Sequence, residues 1–190
     1  MKLKSLFFAM IMAAASIVSV ASLADEYKVV QADKSTLNFG YKQMGVTMDG
    51  RFKKFVVQMN FDPANLAGSK AQFDLDLASI DVGSDEGNDE VVGKQWFNTK
   101  AFPKATFTTA SIKSLGGNRY EVSGPLTIKG RTKTVTAPAV VTISGKTASF
   151  DGTLTILRSD YSIGEGPWAT FETVANEVQI KFHLLANASK

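Results

Sequence analysis

In VSGPLTIKGRTKTV, residues 122–135, three basic side chains fall within five positions: Lys129, Arg131 and Lys133. A fourth, Arg158, ends the apolar run of LTILRSDY. Groups of this kind do one of two things. They hold an anion such as a phosphate or carboxylate, for which the planar guanidinium is the better shape, or they keep a strand edge solvated and unpaired. Solvated edge protection is the expectation for the turn, with its basic tip facing water. For Arg158 two readings stand side by side: contact with an acidic head group, or an ion pair with Asp160 or Glu165.

Other reactive groups are scarce. The chain has no Cys and one His, which removes thiol chemistry, Cys-based metal sites and most catalytic triads. There is no GxSxG elbow, and His183 sits on the polar parity of a strand beside Lys181, as a surface residue does. The acidic stretch DVGSDEGNDE, residues 81–90, departs from a calcium loop. Gly83 and Glu86 stand where a ligand and a glycine are needed, so the stretch reads as a helix-capping loop. Asp74 and Asp76 share one strand face, opposite Phe73 and Leu75, and point to water rather than across a glycosidase cleft. The formal sequon at Asn187 reads as chance. The expectation is a protein that binds and does not catalyse, with no cofactor and no metal.

The first 24 residues carry Lys2 and Lys4, then an uncharged apolar run, then small residues at Ser22 and Ala24. That is a secretory signal pattern with cleavage near Ala24, and the expected location is the periplasm. Residues 25–190 then form one domain of ordinary size. Without the two leader lysines, the 21 basic residues of the chain nearly balance its 18 acidic ones, which points away from nucleic acid. An exported chain without cysteines needs a conventional hydrophobic interior.

Period-two alternation dominates residues 25–190. Phe55, Val57, Met59 and Phe61 share one parity; so do Phe73, Leu75 and Leu77, then Leu126 and Ile128, then Val178, Ile180, Phe182 and Leu184. Turn signals at MDG, DPANLAGS, LGGN, KGRT and SGK divide the chain into about eight strands. One segment, SDEGNDEVVGKQWF (84–97), breaks the pattern and predicts a short helix capped by Asn88. The predicted fold class is all-β: one domain of half-buried antiparallel strands, closed as a barrel or stacked as a sandwich, with one short helix. The wall expected to meet a ligand is Phe39, Tyr41, Phe52, Phe55, Met59 and Phe61 from the first half. Phe73, Leu75, Leu77, Phe107, Leu126 and Ile128 complete it. Trp96, Tyr161 and Trp168 are placed at the entrance, with Arg158 at the head group. Aromatics and Met either fill such an interior or line a space for a long flexible ligand; periodicity does not separate the two.

Taken in order, these stretches resemble the YceI-like family of exported lipid-binding proteins. The matches are Ser35-x3-Phe39, GRFKKFVVQMNFDP (50–63), the helix ending in WFN, AFPKATF (101–107), YEVSGPLTIKGRTKTV (120–135) and LTILRSDYSIG (154–164). Departures are Lys34 where the family often has His, Val57 and Ser162 where it has Gly, and an elaborated last loop, EGPWATFETVANEV (165–178). The resemblance implies an extended antiparallel, lipocalin-like barrel of about eight strands with one short helix and an apolar tunnel, a polyisoprenoid or other long-chain amphiphile as ligand, and no catalytic residue. The partners expected are that lipid and a membrane surface for loading and release. An alternative reading has a self-packed barrel that docks to a membrane partner, such as a redox protein, through an exposed Trp168.

Overall fold

The computed structural model describes residues 25–189; the expected leader and its cleavage site lie outside them. Alternating sequences become twelve strands rather than about eight, because several long runs are interrupted by bends that start new pairings. They are β1 (Tyr27–Val30), β2 (Thr36–Gln43), β3 (Val46–Phe52), β4 (Phe55–Asn60), β5 (Lys70–Asp76) and β6 (Ile80–Asp81). Then come β7 (Lys104–Thr108), β8 (Ser111–Ser114), β9 (Arg119–Ile128), β10 (Arg131–Ser144), β11 (Thr147–Leu157) and β12 (Glu177–Ala188).

All pairings are antiparallel, in the order β4-β5-β7-β9-β10-β11-β12-β2-β3-β6, with β1 beside β12 and β8 beside β9. The sheet curls on itself because one segment serves both ends. Residues of β5 pair with β4, and the same chain, just past a helical turn, pairs with β3 as β6. At the opposite end Tyr27 bridges to Phe61, tying β1 to the end of β4. These short contacts cover only the ends of β3 and β4, so the sheet is curled rather than laddered all the way round.

The single α-helix among the described residues, α1 (Asp85–Val91), is capped by Ser84, whose hydroxyl accepts from the Gly87 amide at 3.1 Å. The expected cap, Asn88, lies one turn inside and accepts instead from the Val82 amide at 2.8 Å. Ser84 wins because it precedes the first helical residue in extended conformation, which the cap position requires.

The interior has two levels. Below, Tyr27, Phe61, Tyr120 and Phe150 form a buried aromatic plug, with Phe61 edge-on to Tyr120 and Phe150 at 5.4 and 5.1 Å, an arrangement the ring quadrupoles favour. Above, Leu77, Trp96, Leu126, Ile128, Ile156, Tyr161 and Val174 pack beneath the loops that come after β11. Close strand approach requires glycine at Gly124 in the VSGPLTI run: a Cβ there would lie 2.0 Å from the Thr108 carbonyl oxygen.

Candidate functional site

Between the two levels runs an apolar cavity of about 330 Å³, within the range of small-molecule sites. Inward-facing residues of every strand except β1 contribute to it. Fourteen of the sixteen residues expected at a ligand border it: Phe39, Tyr41, Phe52, Met59, Phe61, Phe73, Leu75, Leu77, Trp96, Phe107, Leu126, Ile128, Arg158 and Trp168. Phe55 does not; it packs against the lower aromatic level. Tyr161 does not; it is buried in the upper cluster, 1% exposed. The wall also includes residues left out of the expected set, notably Val135, Ala137, Ala139 and Val141 of β10. The alternating residues of β11 and β12, among them Leu154, Ile180 and Phe182, complete it. Ala137 and Ala139 give the cavity its width there, since each puts only a methyl group inward.

Phe73, Phe107, Leu154, Val178, Ile180 and Phe182 are only half-buried although they point inward. A self-packed core would bury them fully. All six border the cavity.

The upper rim is organised by three polar groups, and each differs from the sequence expectation. Arg158 is 2% exposed. Its Nε donates to the Ala175 carbonyl at 3.2 Å. Nη1 donates to Ile163 and Gly164 at 2.8 and 3.1 Å, and Nη2 to Trp168, Thr170 and Val174 at 2.7, 3.0 and 2.9 Å. A guanidinium has five N–H donors, so six carbonyl oxygens leave none for a head group. The expected head-group role is therefore corrected, and so is the expected ion pair, because Asp160 is taken by Lys133 and Glu165 by Lys129. Burial lowers the guanidinium pKa below its ordinary value, and the carbonyl cage offsets that loss of hydration. Trp96 and Phe171 cover the charge with their rings, 5.6 and 5.0 Å from the guanidinium carbon.

The basic turn is the second difference. Lys129 does not face water: its side chain is 6% exposed, and Nζ donates to Glu165 Oε2 at 2.8 Å and the Ser162 carbonyl at 2.7 Å. The ammonium holds the Glu165 carboxyl below its usual pKa. Lys133 pairs with Asp160 at 3.5 Å, while Arg131 is exposed. Two of the three basic residues thus fasten the loop that cages Arg158.

Third, Trp168 is not the exposed contact expected of it. Its ring lies 5.3 Å from that of Trp96, and both indole N–H groups donate to Glu90 Oε1, at 2.9 and 3.2 Å. Phe171, 47% exposed, is the outward aromatic of that loop. His183 lies on the outer face, half-exposed, with Nδ1 2.6 Å from Asp151 Oδ1.

Residues 27–186 match the model of the YceI-like domain. The chain is similar to BcnA of Burkholderia cenocepacia, whose crystal structure is 49% identical, with a TM-score of 0.81 over 83% of this chain and 99% of that one. A UPF0312 protein of Pseudomonas putida is 29% identical over 187 residues, covering 94% of this chain and 97% of its own. A polyisoprenoid binding domain from Saccharophagus degradans, 22% identical, shares the fold at a TM-score of 0.67 over 87% of this chain and 99% of its own. With a barrel, a tunnel and a domain model that spans nearly all the described residues, the chain belongs to the YceI-like family.

Proposed function

We propose that this protein is a periplasmic carrier that holds a long-chain isoprenoid-type amphiphile in its tunnel. The observation that carries the reading is the cavity of about 330 Å³ whose wall is almost wholly aliphatic and aromatic, with inward side chains left half-buried. The name of the S. degradans neighbour, a polyisoprenoid binding domain, points the same way, and the leader-like N-terminus supports export.

The energetics suit a carrier. Each CH₂ moved from water into the tunnel contributes about 0.8 kcal/mol, so a chain of many carbons does not escape into water. A bilayer offers nearly the same solvent. Exchange between tunnel and membrane is then close to neutral, and a few polar contacts bias its direction.

Filling the tunnel from the β10 side tests the reading. Ala137→Phe with Ala139→Phe places two rings where the wall now carries methyl groups. Retention of a prenyl lipid should fall more than about tenfold, a difference of about 1.4 kcal/mol, while the far-ultraviolet circular dichroism spectrum stays that of the parent. Unchanged retention in the filled variant would contradict the tunnel as the lipid site.

A further inference from the structure

The wall of the barrel has a slot. β10 and β11 pair only from Ala139–Ser144 to Thr147–Gly152. Above that point β10 continues to pair with β9 as far as Arg131, and β11 with β12 as far as Leu157, but not with each other. Extended by register, Thr136 would oppose Thr155 and Val135 would oppose Ile156. Instead the strands part around a surface-open groove of about 310 Å³, flanked by Asp160 and Tyr161 of the helical turn Arg158–Tyr161.

The slot has both polar and apolar character. In an antiparallel ladder alternate residues turn N–H and C=O toward each neighbour, so both parted edges present backbone donors and acceptors that no strand takes up. Tyr161 lines the slot, and its hydroxyl is buried without a hydrogen-bond partner. Burial raises that phenol's pKa to about 12, which keeps the proton available for donation. The charges at the rim, Lys133 and Asp160, are paired with each other and cancel. Val135, Leu154 and Ile156 line the slot and the tunnel alike, so only side chains, and no ladder hydrogen bonds, separate the two spaces.

The polar groups at the upper rim are meanwhile committed. Arg158 is saturated by carbonyls, Lys129 is paired, and Glu90 accepts from two indoles. We propose that the β10–β11 slot seats the polar end of the ligand, an uncharged head group bearing hydroxyl or carbonyl oxygen that hydrogen-bonds to Tyr161 and the open strand edges while its chain fills the tunnel. This rests on the carrier reading above and adds to it where the ligand's head lies and which class of head is preferred.

The test compares three probes on the full mature chain: geranylgeraniol, geranylgeranyl phosphate and squalene, which has no head group. Tyr161→Phe removes one hydroxyl and should weaken the alcohol about five- to tenfold, the effect of one hydrogen bond, while squalene binds as before. The chain has no cysteine of its own, so Thr136→Cys with Thr155→Cys offers two thiols that a short bis-methanethiosulfonate reagent joins across the slot, where the parted strands lie too far apart for a direct disulfide. Cross-linking should weaken the alcohol about tenfold or more, spare squalene, and be undone by reductant. A staple at Thr142→Cys and Ser149→Cys, already partners in register, should change nothing. The phosphate should bind no tighter than the alcohol.

Equal loss of alcohol and squalene, or loss of neither, overturns the slot as head-group site, and Tyr161→Phe decides this even where the cross-link does not form. Phosphate binding tenfold tighter than alcohol overturns the uncharged class. If the parent protein binds none of the three, the carrier reading itself fails; if it binds all three and the ratios do not move, only the slot proposal does.

Discussion

Replacing Arg158 by Ala removes the centre of the loop that crowns the barrel. Its six hydrogen bonds to backbone carbonyls each contribute about 1 kcal/mol after exchange with water. The carbonyls of Ile163, Gly164, Trp168, Thr170, Val174 and Ala175 then lose their partner, and the loop regains solvent only by opening. The result is a loss on the order of 5 kcal/mol, comparable to breaking a buried ion pair. For a chain of this size each kcal/mol lowers Tm by about 2–4 °C, so Arg158→Ala should melt about 10–20 °C below the parent. Arg158→Lys should fall between the two, since an ammonium keeps the charge but cannot reproduce the planar fork. Thermal unfolding followed by circular dichroism measures all three. An Arg158→Ala protein that melts within about 2 °C of the parent yet loses anionic lipids would refute the cage, and would return Arg158 to the head group.

The same loop yields two more expectations, and the barrel ends two others. Gly164 has φ +80°, and a Cβ there would lie 2.2 Å from Arg158 Nη1. Gly164→Ala should therefore lower Tm by an amount comparable to Arg158→Lys. Ser162 holds a left-handed conformation, φ 52° and ψ 38°, that costs a non-glycine residue about 1–2 kcal/mol; Ser162→Gly should fold normally and melt no lower than the parent. Phe61→Ala removes the hub of the aromatic plug and should destabilise by about 3–5 kcal/mol, read from urea unfolding. Asp81 accepts from the Gly83 amide and then from Arg51 and Lys53, which lowers its pKa from 3.8 to about 2. Because the folded value is depressed, its contribution to stability is present above about pH 4 and fades toward pH 2. Asp81→Asn should flatten that part of the acid-unfolding curve, and an unchanged curve would show that the carboxylate contributes nothing.

Much of the tunnel was legible because its physics is local. A strand that alternates Phe73, Leu75 and Leu77 with Gln72, Asp74 and Asp76 declares its inner face, and the structure places that face on the cavity. The β10 wall was not legible in the same way: in TVTAPAVV the inward residues include Ala137 and Ala139, whose small size hides the parity in a run rich in Thr and Ala. The strand number was underread for a related reason. β5 and β6 form one continuous run, and only the helical turn at Leu77–Ser79, capped by Asp76, divides it. Arg158 was misread because its partners are carbonyl oxygens of the loop that follows it, and a backbone acceptor leaves no mark in a sequence; Lys129 was misread because its partners, the Ser162 carbonyl and Glu165, lie more than thirty residues away. The slot is invisible to periodicity altogether, since Thr134, Thr136 and Thr155 alternate as any paired strand would.

The central claim is that the tunnel holds a lipid. The direct measurement is mass spectrometry of the organic extract of protein purified from its native envelope without detergent. A long-chain isoprenoid amphiphile is expected in about one copy per tunnel, lost from the Ala137→Phe, Ala139→Phe variant. A folded protein that yields no such lipid, and takes up none from vesicles containing prenols, would contradict the claim.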